Sequence, residues 1–160
     1  MLKEVLRILQ DDARTTPEQI AAMTGLTVAE VNALVKQAEA DGTILKYRTV
    51  VNWEKAQSEQ VWALIEVKVT PQKDVGFDAI AERIYRFPQV RTVYLISGTY
   101  DLFVQVLGKS NREIADFVSQ KLSHIEGVQG TVTQFVLKRY KEEGEIFNGK
   151  EEVKRQPVVL

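Results

Sequence analysis

The sequence predicts an α+β protein in which three short helices precede a sandwich of β-α-β-β-α-β order. Apolar residues recur at helical spacing in roughly the first 50 residues, and the pattern then shifts toward the two-residue period of strands. The 160 residues are 44% apolar and 27% charged, a composition typical of a protein that buries a core. We therefore divide the chain into a helical domain at 1–50, a linker at 51–60, a second domain at 61–140 and a tail at 141–160.

Three helices are predicted in the first domain, at about 2–11, 17–24 and 28–41. In each, apolar residues fall on one face of a helix. The second and third helices begin with capping boxes whose N-cap residues are Thr16 and Thr27. The N-caps and the helical spacing together predict a compact helical unit.

The second domain is predicted from alternating apolar residues separated by turn and helix signals. A short β segment at 44–51, typical of a winged-helix-like domain, precedes it. The predicted strands and helices then follow in the order of a split βαβ unit, which indicates a ferredoxin-like sandwich. They are a strand at 61–69, a helix at about 74–86, strands at 90–97 and 102–107, a helix marked by Ile114, Val118 and Leu122, and a strand at 128–140. The tail shows no clear period, and we assign it no fold.

Both faces of the predicted sheet carry apolar side chains. The two helices of a ferredoxin-like sandwich cover one face, yet Tyr94, Phe103 and Leu107 alternate onto the other. An apolar face of this kind needs a second cover. We expect the sheet of a second copy to provide it, and the alternative is that the tail folds over this face.

Composition excludes several classes of site. The chain has no cysteine and a single histidine, His124, which excludes disulfides, thiolate catalysis and a multi-His metal site within one chain. We expect no catalytic residue, no metal and no cofactor. We also expect neither a signal peptide nor a membrane span, and a cytoplasmic location.

The strongest motif is a spacing of small and apolar residues across the second and third helices. Ala21 allows the two helices to cross closely, Gly25 permits a sharp turn, and Val31 packs the third helix onto the second. This is the pattern of a helix-turn-helix, whose second helix enters the major groove of double-stranded DNA. The alternative is a helix pair of the same spacing that does not bind DNA.

The apolar stripe of the third helix leaves its opposite face for DNA. Asn32 can pair with adenine, and Lys36 can reach guanine or a phosphate. The helix starts after Thr16 and Thr27 offer backbone N–H groups to phosphate oxygens. The candidate DNA-binding residues are Thr16, Thr27, Val28, Ala29, Asn32, Ala33, Lys36, Lys46 and Arg48.

Charge predicts weak DNA binding by a single copy. Residues 1–50 contain six basic groups and seven acidic groups, far from the basic surface usual in such domains. Linked copies bind DNA more tightly, because after the first copy has bound, binding of the second copy is intramolecular. We therefore expect oligomerisation to be necessary for DNA binding.

The order of these elements, together with the turn from Gly98 to Leu102, resembles the leucine-responsive/AsnC, or feast/famine, transcription regulators of bacteria and archaea. The resemblance covers about residues 1–140. It implies a sequence-specific DNA-binding regulator whose dimers pack sheet to sheet and assemble into tetramers or octamers. It also implies an amino acid or related small effector bound between subunits of the second domain.

Carried over by position, the resemblance implies an effector site in the turn and on the last strand. The exposed backbone amides around Gly98 would hold an α-carboxylate, and Asp101 would hold an α-ammonium. The alternative is that the turn is an ordinary hairpin connection. The candidate effector-binding residues are Gly98, Thr99, Tyr100, Asp101, Thr131 and Thr133.

Two other functions remain open from sequence alone. The first is an assembly partner or small-molecule sensor that kept the fold and does not bind DNA, which the acidic first domain favours. The second is an enzyme, since regulators of this kind resemble proteins that decarboxylate haem precursors with a histidine in the second domain. His124 stands at a predicted helix end without clustered partners, which favours a surface role.

Overall fold

The chain divides between Val51 and Asn52 into two units, in a computed structural model that describes residues 1–71 and 76–147. The first unit contains α1 (Leu2–Asp11), α2 (Pro17–Thr24) and α3 (Val28–Ala40). These bounds agree with the predicted helices to within one residue. The helical prediction is therefore confirmed.

Local capping explains why α2 and α3 begin where they do. The Thr16 hydroxyl accepts the Gln19 N–H at 3.3 Å, and the Gln19 side chain accepts the Thr16 N–H at 2.9 Å. Thr27 and Glu30 form the same reciprocal pair at the start of α3. These bonds satisfy N–H groups that the first turn of a helix leaves without partners.

The helix-turn-helix spacing gives the packing that the sequence predicts. Gly25 follows α2 with φ of +74°, a left-handed conformation that favours glycine. Val31 is fully buried and Ala21 nearly so, in a core that also contains Val5 and Ile20. Small and apolar residues at these positions therefore lock α3 against the other two helices.

The second unit is a four-stranded antiparallel sheet with strand order β2-β3-β1-β4, as in a ferredoxin-like sandwich. The predicted fold is confirmed. Its elements are β1 (Val61–Val69), α4 (Asp78–Tyr85), β2 (Val90–Leu95), β3 (Leu102–Gly108), α5 (Asn111–Gln120), a 3-10 turn (Leu122–His124) and β4 (Val128–Phe135).

The core lies between the sheet and its two helices. Alternate residues of β1 and β3, such as Ile65 and Val104, are fully buried and pack in one cluster with Ile84 of α4 and Ile114 of α5. Residues that pair directly across two strands point to the same face of the sheet. The intervening residues of each strand therefore form a second face, which the helices do not cover.

We call this second face the open face and define it by Leu64, Tyr94, Phe103, Leu107 and Val132. Register supports the grouping, since Tyr94 pairs with Phe103, and their rings stack at 6.5 Å between centroids. Tyr94 is 60% exposed and Val132 is 37% exposed. The sheet therefore presents apolar side chains on both faces, as the alternation predicts.

The predicted β segment at 44–51 is wrong. These residues form no strand, because they pair with none of the strands in the part of the chain that the structure describes. Alternating apolar residues make a strand only when a partner accepts their backbone hydrogen bonds. The first unit therefore has no β wing within the described residues.

Three other boundaries differ from prediction. The first helix of the second domain begins at Asp78 and not near 74, since Gly76 is left-handed at φ +57°; residues 74 and 75 lie outside the described part. β2 ends at Leu95, where Ile96 donates to the carbonyl of Asp101 within the turn. β4 ends at Phe135 because β1, its partner, begins at Val61 and offers little more backbone to pair with.

The described part of the tail, residues 141–147, has regular secondary structure. Lys141–Glu142 (β5) and Glu145–Ile146 (β6) pair in a small hairpin, whose turn holds Gly144 at φ +90°. Phe147 then packs with only 7% exposure. This corrects our prediction for 141–147, and residues 148–160 lie outside the described part.

Phe147 contacts residues at both ends of the described part of the second unit. Its carbonyl accepts the Asn52 side-chain N–H at 3.2 Å, and its ring lies 4.7 Å from the Arg139 guanidinium. The same guanidinium lies 5.8 Å from the ring of Trp62 on β1. The hairpin therefore contacts the end of the sheet where β1 begins.

Candidate functional site

The outer face of α3 carries the predicted DNA-contacting side chains. Val31 and Ala38 are buried on its inner side, and Leu34 and Val35 are half-buried against the same core. The opposite side is exposed to solvent along its whole length. The predicted DNA-contacting residues of α3 are all exposed; they are Val28, Ala29, Asn32, Ala33 and Lys36.

Capping shapes the electrostatics at the start of α3. The backbone N–H and the hydroxyl of Thr27 both donate to Glu30 Oε2, at 2.8 and 2.7 Å. These bonds hold the pKa of Glu30 below its ordinary value, the backbone bond most strongly. The carboxylate therefore stays ionised beside the helix end, and it opposes an approaching phosphate.

The N–H groups of Val28 and Ala29 stay outside the capping box. The first-turn amides of a helix have no partner within the helix, and the box uses those of Thr27 and Glu30. At the start of α2, the Thr16 hydroxyl likewise accepts a backbone N–H, that of Gln19. The helix starts can therefore offer backbone N–H groups, while both threonine hydroxyls are already engaged.

The segment after α3 carries the last two predicted contacts. Lys46 and Arg48 are both exposed. Tyr47 between them donates its hydroxyl proton to Glu39 Oε1 at 2.9 Å. Partial burial, together with this bond and the Glu39 charge, raises the pKa of Tyr47 above its ordinary value. Tyr47 thus holds the segment to the end of α3.

The turn between β2 and β3 is held by Asp101. Its carboxylate accepts the Val69 N–H at 3.0 Å, and its own N–H donates to the Val67 carbonyl at 3.1 Å. Asp101 thus reaches past the end of β3 to β1. Gly98 lies in the same turn at φ +146°, where a side chain would be strained.

Lys68 completes the turn and was missed by our sequence reasoning. Its ammonium lies 3.2 Å from Asp101 Oδ2 and donates to the Thr99 carbonyl at 3.0 Å. The Val69 N–H and this cation hold the pKa of Asp101 below its ordinary value, the backbone bond most strongly. The available signal was a lysine on the uncovered side of β1, near the strand end that meets the turn.

Thr131 and Thr133 lie on β4, at the edge of the sheet. They pair with Val67 and Ile65, so their half-buried side chains point to the helix-covered side. Val67 also accepts the N–H of Asp101. The structure therefore brings Thr131 to the same end of the sheet as the turn, with Thr133 one pleat further along β4.

Three further observations concern the single histidine, metal ligands and membrane crossing. His124 is exposed at the end of the 3-10 turn. Across residues 1–71 and 76–147, no three His, Cys, Asp or Glu side chains cluster as metal ligands would. Within the same ranges, no helix has the length and apolarity that crossing a membrane requires.

Comparison with protein-family models matches both units. Residues 62–146 match the Lrp/AsnC ligand binding domain, and residues 2–44 match a winged helix-turn-helix DNA-binding domain. YugG of Bacillus subtilis, an HTH-type transcriptional regulator, is 45% identical over 95% of this chain and 92% of its own length. FL11 of Pyrococcus furiosus, another such regulator, is 33% identical over 90% of this chain and 92% of its own.

Solved structures share the fold. The leucine response regulatory protein LrpA of Mycobacterium tuberculosis superposes with a TM-score of 0.74 at 21% identity, covering 92% of this chain and 97% of LrpA. A transcriptional regulator from Neisseria meningitidis, solved in complex with L-Met, gives 0.71 at 24% identity, covering 88% and 90%. The resemblance found in the sequence is confirmed.

Proposed function

This chain belongs to the Lrp/AsnC family of DNA-binding transcriptional regulators, and from that premise we propose that the N-terminal half of α3 enters the major groove. One observation carries the proposal: a buried inner face holds α3 in place while its outer face is exposed to solvent. Asn32 pairs with adenine, and Lys36 reaches guanine or a phosphate. The small side chains of Ala29 and Ala33 allow close approach to thymine methyl groups.

The proposed contacts also include the backbone and the basic side chains around α3. The N–H groups after Thr16 and Thr27 receive phosphate oxygens, and Lys46 and Arg48 contact the backbone of the same duplex. Because Glu30 remains ionised at the start of α3, these contacts act against a local negative charge. A single copy therefore binds weakly.

Assembly through the open face supplies the missing affinity. A second copy of the chain covers this face with its own open face, since both present the same apolar side chains. The resulting dimers assemble into tetramers or octamers and present several copies of α3 to one DNA molecule in the cytoplasm. Linkage of this kind raises apparent affinity by about 10²–10⁴-fold without any new contact.

An amino acid modulates the regulator at the turn. The backbone around Gly98 and Thr99 binds its α-carboxylate, and its α-ammonium replaces the Lys68 ammonium at Asp101. Tyr100 lies in the same turn. Thr131 and Thr133 point to the helix-covered side of β4, opposite the face that carries Lys68, and reach the ligand only around the edge of the sheet. The Neisseria regulator solved with L-Met supports an amino-acid ligand in this fold.

A retardation assay on the upstream region of the chain's own gene, at two salt concentrations, tests the DNA proposal. We expect binding that weakens steeply with salt, because released counterions drive it. A shuffled duplex of equal length and composition is the control. Absence of binding at low salt would instead favour the alternative that the chain is an assembly partner without DNA contacts.

Calorimetry against the twenty amino acids tests the effector proposal. We expect heat from at least one, and loss of that heat in Asp101→Ala while DNA binding by the free protein stays unchanged. The control is Asp78→Ala, an exposed carboxylate at the start of α4. If none of the twenty gives heat, the proposed effector site is wrong.

A further inference from the structure

A groove of about 580 Å³ lies at the end of the sheet where β1 begins and β3 ends. Small-molecule sites in proteins commonly measure about 300–1,000 Å³. The groove is lined in part by Gln60, just before β1, and by Pro88 and Gln89, just before β2. Asp101 precedes β3 at its other end, so the groove and the turn occupy opposite ends of the sheet.

Two residues that line the groove each carry a buried hydrogen-bond acceptor without a donor among the described residues. Gln60 Oε1 and Gln89 Oε1 are both buried, and neither finds a partner among the residues that the structure describes. Buried polar groups in proteins are nearly always paired, so each unpaired atom needs an explanation. The backbone of Gln89 is held in place, since its carbonyl accepts the Leu107 N–H at 2.9 Å.

A carboxylate stands beside these acceptors. Glu113 Oε2 accepts the Lys109 N–H at 2.7 Å, and the Glu113 N–H donates to the Ser110 hydroxyl at 3.1 Å. The first bond fixes the carboxylate and leaves capacity on its other oxygen. With Glu59 and Lys109 also lining the groove, its formal charge is −1. The groove is therefore suited to a cationic donor.

We propose that this groove binds a small protonated primary amine. An ammonium group has three donors and no acceptor. Rotation of the two glutamine side chains toward the groove brings Gln60 Oε1 and Gln89 Oε1 to the ammonium, which also donates to the Glu113 carboxylate. The carbon chain of the ligand lies against Pro88 and Leu107. The proposal is independent of the effector site at Asp101.

The first test titrates the full ¹⁵N-labelled chain with n-butylamine hydrochloride at pH 7, following the side-chain amide signals of Gln60 and Gln89 by NMR. Sodium butyrate and n-butanol serve as probes of the same chain length. We expect saturable shifts with the amine, and at least tenfold weaker binding of the other two. No saturable shift, or equal affinity for all three probes, would overturn the proposal.

The second test removes one acceptor. Gln89→Met keeps the length of the side chain and should weaken amine binding at least tenfold, as should Gln60→Met if the first variant does not fold. The matched control is Gln129→Met, an exposed glutamine near the start of β4 that does not line the groove. Wild-type affinity in a folded Gln60 or Gln89 variant would show that these oxygens do not bind the amine.

Discussion

Lys36 is the residue on which the DNA proposal can be tested most directly. It is exposed on the outer face of α3, one turn from Asn32. Lys36→Ala should weaken DNA binding about tenfold, which corresponds to ~1.4 kcal/mol, and lower the salt slope by about one unit if the lysine contacts a phosphate. Fluorescence anisotropy at several salt concentrations measures both.

The matched control for this change is Lys55→Ala, which removes an exposed lysine from the second unit. It should leave DNA affinity unchanged. Sedimentation should give the same oligomer size for Lys36→Ala as for the wild type. A loss of assembly in Lys36→Ala would show that this side chain lies on the wrong surface for the proposal.

Asp101 should make the thermal stability of the protein depend on pH. Its folded pKa lies below the ordinary 3.8, so its bonds to Val69 and Lys68 stabilise the protein above that value, and the contribution is lost as the pH falls through the folded pKa. Asp101→Asn cannot titrate. The wild type should therefore melt higher than Asp101→Asn at pH 7, and the difference should shrink below pH 3.8.

Thermal melts of both proteins from pH 7 to pH 3 measure this difference. Other carboxylates with lowered pKa values, such as Glu30 and Asp41, titrate in both proteins and cancel in the comparison. A difference that is independent of pH would mean that the charge of Asp101 does not hold the turn.

At the scale of elements, the turn between α2 and α3 depends on backbone conformation. Gly25 has φ of +74°, and no atom of the described residues lies within 4 Å of a Cβ added there. The cost of Gly25→Ala is therefore strain alone, about 1–2 kcal/mol. Urea denaturation of the full chain measures this loss of stability.

Gly130→Ala is the control, since Gly130 also has open space but no left-handed backbone. It should change the free energy of unfolding little. An equal effect of the two substitutions would mean that the left-handed conformation of Gly25 is not what the turn requires.

The open face predicts a dimer interface. Phe103→Glu would place a charge in the middle of this apolar surface, and burying that charge against a second copy is unfavourable. We expect Phe103→Glu to sediment as a monomer with an unchanged melting temperature at low concentration. Tyr85→Glu, on an exposed aromatic of α4, should keep the oligomer of the wild type.

Local signals explain which elements could be predicted. The capping boxes at Thr16 and Thr27 mark helix starts within a few residues, so α2 and α3 were predicted almost correctly. The prediction of a strand at 44–51 was wrong because alternating apolar residues do not show whether a partner strand exists. The β5–β6 hairpin was missed because its turn places Glu143 at φ +50°, whereas such turns usually hold Asn or Asp before glycine.

In the candidate sites, too, local sequence signals predicted some residues and missed those that only the tertiary structure brings together. Asp101 was found because its turn matches a family motif, whereas Lys68 is distant in sequence and meets it only through strand pairing. Gln60 and Gln89 are likewise brought together by the ends of two strands. Partnerships set by tertiary structure leave no periodic pattern in the sequence.

At the scale of the whole molecule, DNA binding should depend on assembly. The first unit has an excess of acidic groups, so we propose that its affinity for DNA comes from several linked copies of α3. The monomeric Phe103→Glu variant should bind the upstream DNA at least a hundredfold more weakly than the wild type. Undiminished binding by a proven monomer would show that one copy of the unit suffices.

The bond between Asn52 and Phe147 brings together two residues that are 95 positions apart in the chain. The two ends of the described part of the second unit, residues 52 and 147, thus lie side by side. A few added residues could join position 147 back to position 52 and leave every strand beside its present neighbour. New termini could then be opened at another surface loop, because the shape of this unit does not depend on where its polypeptide happens to start.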